Sequence, residues 1–262
     1  MIGVLVMAYG GPDNLEEVEP YLMDVRGYRA TAPEIVHEVR ERYREIGGRS
    51  PILERTRAQA EALQNVLNEQ GQNFKVFVGM RHWHPFITDT LTEMSRYGVD
   101  NAVGLVMAPH YSRMSIQAYF QKIEEADSGL QIAPIYDWHL LPEYLNALTD
   151  RVQTALKRFP ESVRADVPVI FTAHSLPERI LEWSDPYPSQ LLATTEALME
   201  RLGPRLYEFA YQSAAISNIP WLGPDAVAEH VGLEVVDEAF HPALGRVVRV
   251  LERNDDLRQV DV

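Results

Sequence analysis

Four short apolar runs of this chain each end on residues equipped for chemistry. Gly3 to Ala8 leads into Tyr9-Gly10-Gly11-Pro12, and the run 74–79 leads into Met80-Arg81-His82-Trp83-His84-Pro85. The run 101–107 leads into Ala108-Pro109-His110-Tyr111-Ser112-Arg113, and the run 167–172 leads into Ala173-His174-Ser175-Leu176-Pro177-Glu178. A histidine with a near-neutral pKa can accept a proton and offer a lone pair to a metal, which makes His174 the first candidate. A turn-forming histidine is the plainer reading. Ser175 invites a hydrolase, but no G-x-S-x-G elbow surrounds it. The two glycines after Tyr9 would let a flat ligand approach the backbone, or would simply turn the chain into a helix capped by Asp13 or Asn14. They do not form G-x-G-x-x-G, so a dinucleotide site has little support. Singly, His82, His84 and His110 read as loop residues. Together with Arg81, Arg113 and their aromatic neighbours they suit a planar anionic ligand, held by stacking and paired hydrogen bonds.

These loops need a scaffold that brings strand ends together. Strands near 3–8, 74–79, 101–107 and 131–136 alternate with helical-period segments at 14–24, 33–46, 55–70, 86–97 and 114–127, the pattern of βαβ units around a mostly parallel sheet. In such sheets function gathers beyond the carboxyl ends of the strands. In helix 33–46, Ile35, Val36, Val39, Tyr43 and Ile46 recur at three- and four-residue spacing, and Gly47-Gly48 stops it. After Leu140-Leu141-Pro142 the pattern begins again with helix 143–158, strand 167–172, helix 188–202 and strand 207–212. A helix 225–231, a strand 233–237 and a helix 243–252 are expected in the last part. The fold class is α/β, with domains at 1–140 and 141–262. Arg26, Arg29, Arg42, Arg44 and Arg49 lie on or beside the first helices. Those facing the Tyr9 turn could hold carboxylates, and the others pair with glutamates.

Composition narrows the partners. There is no cysteine, so an iron–sulfur cluster or cysteine-ligated zinc held by this chain alone is excluded, and a metal must meet His, carboxylate or Tyr. With 24 basic and 38 acidic residues the formal charge is −14, which argues against nucleic acid or an anionic membrane as partner. The apolar runs fall far short of the ~20 residues of a membrane helix. Met1 is followed directly by Ile2, Gly3 and Val4 with no basic n-region, and a cytoplasmic protein is expected.

Several motifs occur together and in order: Tyr9 to Pro12, Arg42-Tyr43-x-x-Ile46-Gly47-Gly48-x-Ser50-Pro51, Ala108 to Ser112, His174 to Pro177, Asp185-Pro186-Tyr187-Pro188 and Trp221-Leu222-Gly223-Pro224-Asp225. In these the chain resembles the ferrochelatases over about residues 3 to 225. The resemblance implies two Rossmann-like domains with a ligand cleft between them, and insertion of Fe²⁺, as substrate, into a porphyrin. A tyrosine at the position of Tyr9 is similar to the branch acting on coproporphyrin III. By the same resemblance His174 is the iron ligand and proton acceptor, and Tyr9 lies on the opposite macrocycle face, near or bound to product iron. Arg26, Arg42, Tyr43, Ser50 and Tyr119 hold propionates or the ring edge. No organic cofactor is implied, and a monomer is expected. Because His174 must be neutral, activity is expected to fall below about 6.5, the reference value for histidine.

After Trp221 to Asp225 the chain departs from the family pattern. A central strand and an acidic, His-containing loop have no visible counterpart, so the second domain is expected to be short of both. Glu229-His230-Val231 is read either as a remnant of that loop, with Glu234 as the displaced acidic partner of His174, or as a polar helix end. The alternatives to an active iron chelatase are a tetrapyrrole-binding protein without turnover and a chelatase for another metal.

Overall fold

A computed structural model describes residues 1–69, 71, 73–214, 219–223 and 248–251, the last of these by backbone alone. The chain forms two units, Met1–Pro109 with Ser115–Asp137, and His110–Met114 with Trp138–Val262.

In the first unit, strand β1 (Ile2–Ala8) is buried from Gly3 to Ala8. A strand without an exposed face belongs in the middle of a parallel sheet covered on both sides, and β1 lies there. It pairs in parallel with β2 (Phe74–Met80) on one side and β3 (Asn101–Val106) on the other, and β3 pairs with β4 (Gln131–Ile135). The order is β2-β1-β3-β4. Helix α1 (Val18–Val25) follows a 3-10 turn at Leu15–Glu17, and α2 (Pro33–Glu45) follows Ala32. Helix α3 (Ile52–Glu69) lays Ala60, Leu63 and Leu67 against Val4 and Val6 of β1. Leu5 and Met7, which alternate with them, are fully buried as well. Helix α4 (Ile87–Arg96) buries Ile87, Leu91 and Met94, and α5 (Ile116–Glu125) buries Ile116, Tyr119 and Phe120.

In the second unit, helix α6 (Pro142–Leu156), the short α7 (Glu161–Arg164), strand β5 (Val169–His174), the short α8 (Arg179–Glu182), helix α9 (Tyr187–Leu202) and strand β6 (Tyr207–Gln212) follow in order. Leu145, Val152 and Leu156 of α6 and Leu198 of α9 pack with Val169 and Phe171 of β5 in one core. Strand β5 reaches two residues further than its apolar run suggested, so that His174 is its last residue.

The helix expected over 243–252 is corrected: Val248–Leu251 is a strand, β7, paired in parallel with β5 in the order β6-β5-β7. Over so short an apolar segment, helical and alternating periods fit equally well. Pairing to a distant strand decides between them. The helix and strand expected at 225–231 and 233–237 lie outside the described residues, as does Glu234. Among the described residues no helix is long and apolar enough to cross a membrane.

Candidate functional site

At the carboxyl end of the first sheet, backbone hydrogen bonds lace the strand-end loops together. Arg81 N–H donates to Ala8 O and His82 N–H to Tyr9 O, both at 2.9 Å, while Met107 N–H donates to Met7 O at 2.8 Å. Gly10 has φ 91°, and a Cβ there would stand 2.9 Å from Trp83 N. Only glycine combines that conformation with that approach. The Glu17 carboxylate accepts from Asp13 N–H at 2.8 Å and from the Trp83 indole at 2.9 Å, and Asn14 caps the same turn through Glu17 N–H at 3.1 Å. This is a variant of the capping box that also ties the loop after β2 to the loop after β1.

The sequence-predicted residues take different places in this frame. Tyr9 is 40% exposed, and its ring lies 4.5 Å, centroid to centroid, from that of His82. Ser50 donates its backbone N–H to Pro12 O at 2.8 Å, and a Cβ on Gly11 would meet Ser50 Oγ at 2.5 Å and the Tyr43 hydroxyl at 3.5 Å. Tyr9, Tyr43 and Ser50 are thus gathered about one glycine turn. Tyr119 is buried, at 5% exposure, beneath the Arg81 guanidinium, whose centre is 5.3 Å from its ring. Burial raises its phenol above the ordinary tyrosine value. Arg26 caps α1 on exposed surface, its carbonyl accepting from Arg29 Nε at 3.0 Å. Arg42 is exposed on α2 and pairs with Glu38 one turn away.

Sequence reasoning did not single out a further pair. His82 is 7% exposed, and its Nδ1 lies 2.7 Å from Asp24 Oδ1 on α1. Burial lowers the His82 pKa, against the opposing pull of Asp24. His82 was visible as one of several loop histidines. Asp24, 58 positions away, carried no signal, because only the packing of α1 brings it there.

In the second unit, β5 is mostly buried until His174, which is exposed. His174 Nδ1 is 3.4 Å from Gln212 O, a long contact. With a proton on Nδ1 directed at that carbonyl, the lone pair sits on Nε2. The backbone around it is firmly held. The Tyr187 hydroxyl donates to His174 O at 3.0 Å, and Ser175 N–H donates to Gln212 O at 2.8 Å. Ser175 is fully buried and its hydroxyl donates to Leu222 O at 2.8 Å, a structural role that removes the hydrolase reading. Leu222 N–H returns to Leu176 O at 2.8 Å, and Pro177 bridges Trp221. The 221–223 segment therefore clips the loop that follows His174.

The loop after β3 is held in this same unit. Buried Asp185 accepts from Ser112 Oγ at 3.0 Å, from Arg113 N–H at 2.7 Å and from Tyr187 N–H at 3.0 Å. Tyr111 N–H donates to Gln190 Oε1 at 2.6 Å. His110, 4% exposed, bonds Thr194 Oγ1 at 2.9 Å, and burial, with His139 adding, pushes its pKa down to about 3. His110 is therefore a neutral structural histidine. Among the described residues no group of three or more His, Asp or Glu side chains converges as a metal-binding set.

Comparison with known proteins assigns this scaffold. The family profile described as Ferrochelatase matches residues 1–234. A ferrochelatase of Deinococcus radiodurans is 44% identical over 236 residues, covering 88% of this chain and 74% of that protein. A coproporphyrin III ferrochelatase of Listeria monocytogenes is 37% identical over 259 residues, covering 96% of this chain and 84% of the other. One from Bacillus subtilis is 39% identical over 229 residues, covering 86% and 74%. The parallel α/β units, the glycine turn after Tyr9 and the histidine ending β5 are thus the parts of a member of the ferrochelatase family, the enzymes that insert ferrous iron into a porphyrin in haem biosynthesis.

Proposed function

We propose that this chain inserts Fe²⁺ into coproporphyrin III, in the cytoplasm and as a monomer, without an organic cofactor or an iron–sulfur cluster. The observation that carries this reading is the exposed imidazole of His174 at the end of a buried strand, its backbone held on both sides. The relatives named for coproporphyrin III support the choice of porphyrin.

Metallation replaces two pyrrole N–H protons by one ferrous ion. The macrocycle must be bent so that its nitrogens present lone pairs to the metal, and binding energy from the rim carboxylates can offset that distortion. The single Nε2 lone pair of His174 meets the incoming iron and, once the metal has passed to the macrocycle, takes up one of the two pyrrole protons, while the other leaves to water. An exposed position suits this, since the group must exchange protons with water between turnovers. Glu234 is the acidic partner in metal delivery. Tyr9 serves the other macrocycle face and the product iron. Arg26, Arg42, Tyr43, Ser50 and Tyr119 hold the propionates and ring edge. Guanidinium groups suit that task because they bind carboxylates through paired, charge-assisted hydrogen bonds.

Anaerobic incubation of the full chain with Fe²⁺ and coproporphyrin III tests this directly. Free-porphyrin fluorescence is expected to fall with the wild type and to persist with His174→Ala. Equal rates for the two proteins would sink the assignment. Porphyrin that binds without being metallated by the wild type would instead make the chain a tetrapyrrole-binding protein. The combined Arg26→Ala and Arg42→Ala variant is expected to bind porphyrin at least about tenfold more weakly, the loss of roughly one charge-assisted contact or more.

A further inference from the structure

His82 takes no part in the metallation steps above, yet it is buried, bound to a carboxylate and in ring contact with Tyr9. We propose that Asp24 and His82 are positioning residues for Tyr9: Asp24 holds the His82 imidazole, and that ring sets the orientation of the Tyr9 phenol. The inference deepens, and rests on, the role given to Tyr9 at the macrocycle.

Tyr9 stands in a place where its own backbone does little to fix it. It leaves the end of β1 and precedes Gly10, at φ 91°, and its side chain is 40% exposed. The rotamer of a half-exposed phenol on such a turn is set by the side chains beside it. The His82 ring narrows that choice. It lies 4.5 Å from the Tyr9 ring with the planes tilted by 51°, and His82 N–H donates to Tyr9 O at 2.9 Å, so the two residues are locked in register. The imidazole is itself clamped from another element, by Asp24 on the last turn of α1, at 2.7 Å. An N–H to carboxylate bond of that length is the charge-assisted kind and fixes the ring plane. Nδ1–H donates to Asp24 whether the imidazole is neutral or protonated, so the clamp does not depend on its charge state. Arg81 and Lys122 are the cations around the ring. Asp24 also lies two positions before Arg26, so one helix end presents a candidate propionate ligand and braces the residue beneath Tyr9.

The test uses the full chain labelled with ¹³C in its tyrosine rings, with the Tyr9 resonance identified by its loss in Tyr9→Phe. In protein without porphyrin, Asp24→Ala and His82→Ala are expected to shift or split the Tyr9 signal. Asp24→Asn, which keeps an oxygen acceptor for the Nδ1 proton, is expected to leave it close to wild type. If Asp24→Ala does not fold, His82→Asn, which removes the ring but not the polarity, reads the same effect. In the ferric coproporphyrin III complex, the tyrosinate-to-iron charge-transfer band of Asp24→Ala is expected to weaken toward that of Tyr9→Phe. The turnover number should fall on the order of tenfold to a hundredfold, as a displaced group does, with little change in KM for porphyrin. An unmoved Tyr9 resonance in folded Asp24→Ala and His82→Ala overturns the clamp. A resonance that moves, combined with identical ferric-complex spectra for wild type and Tyr9→Phe, supports the clamp and overturns the role of Tyr9 at the iron.

Discussion

A methyl group on Gly11 would come within 2.5 Å of Ser50 Oγ and 2.6 Å of Ser50 Cβ, and Ser50 is tied by its backbone N–H to Pro12 O at 2.8 Å. The side chain cannot retreat without straining that tie. Gly11→Ala is therefore expected to cost about 1–3 kcal/mol, the range for overpacking a filled site. It is also expected to weaken porphyrin binding, because Ser50 is displaced while Tyr43, at 3.5 Å, is only touched. A melting curve and a porphyrin titration on the same preparation check both parts. Binding at wild-type strength would mean that Ser50 does not meet the ligand. The residue scale also separates histidines that look alike in the sequence: His174 is exposed at a strand end, His82 is clamped to Asp24, and His110 is sealed against Thr194.

Between elements, Asp185 ties the loop after β3 to the start of α9. Its carboxylate accepts from the Ser112 hydroxyl and the Arg113 N–H of the loop after β3, and from Tyr187 N–H at the start of α9. Tyr187 in turn donates its hydroxyl to His174 O. Replacing Asp185 by Ala would leave the buried Ser112 hydroxyl and two less buried backbone N–H groups without that acceptor, at about 1–3 kcal/mol for the group stranded away from water. Asp185→Ala is expected to lower the urea midpoint of unfolding. It should also slow metallation, although the residue need not touch substrate, because the backbone under His174 loses a support. Unchanged stability and rate together would show that the loop repacks without it.

For the molecule as a whole, the buried neutral His110 couples folding to pH. Unfolded, it titrates near 6.5; folded, burial and His139 push it down to about 3. Between those values the unfolded chain holds the extra proton, so stability rises with pH through this window. The contribution is fully present above about 6.5 and is lost as pH falls toward 3, by up to about 1.4 kcal/mol per pH unit. Unfolding free energies from urea titrations at pH 7 and pH 5 check this. His110→Gln is expected to be less stable at pH 7 but to lose about 2 kcal/mol less on going to pH 5. An equal loss in both proteins would assign the acid sensitivity to the carboxylates of this acidic chain instead.

Much of this was legible in the residues alone, because local order leaves local marks. Alternating apolar runs and helical periods show β1 to β6 and the long helices, since both patterns follow from burying one face of a regular element. The glycine turn after Tyr9 and the His174-Ser175-Leu176-Pro177 run stand out because special backbone and reactive side chains meet at strand ends. The partners of those side chains are another matter. Asp24 beneath His82, Asp185 across three donors, Leu222 over Ser175 and the strand at Val248–Leu251 all depend on contacts between residues far apart in the chain. No local propensity encodes such a contact. It exists only when hydrophobic burial has packed whole elements together, and that packing decides which histidine is sealed, which is braced and which meets solvent.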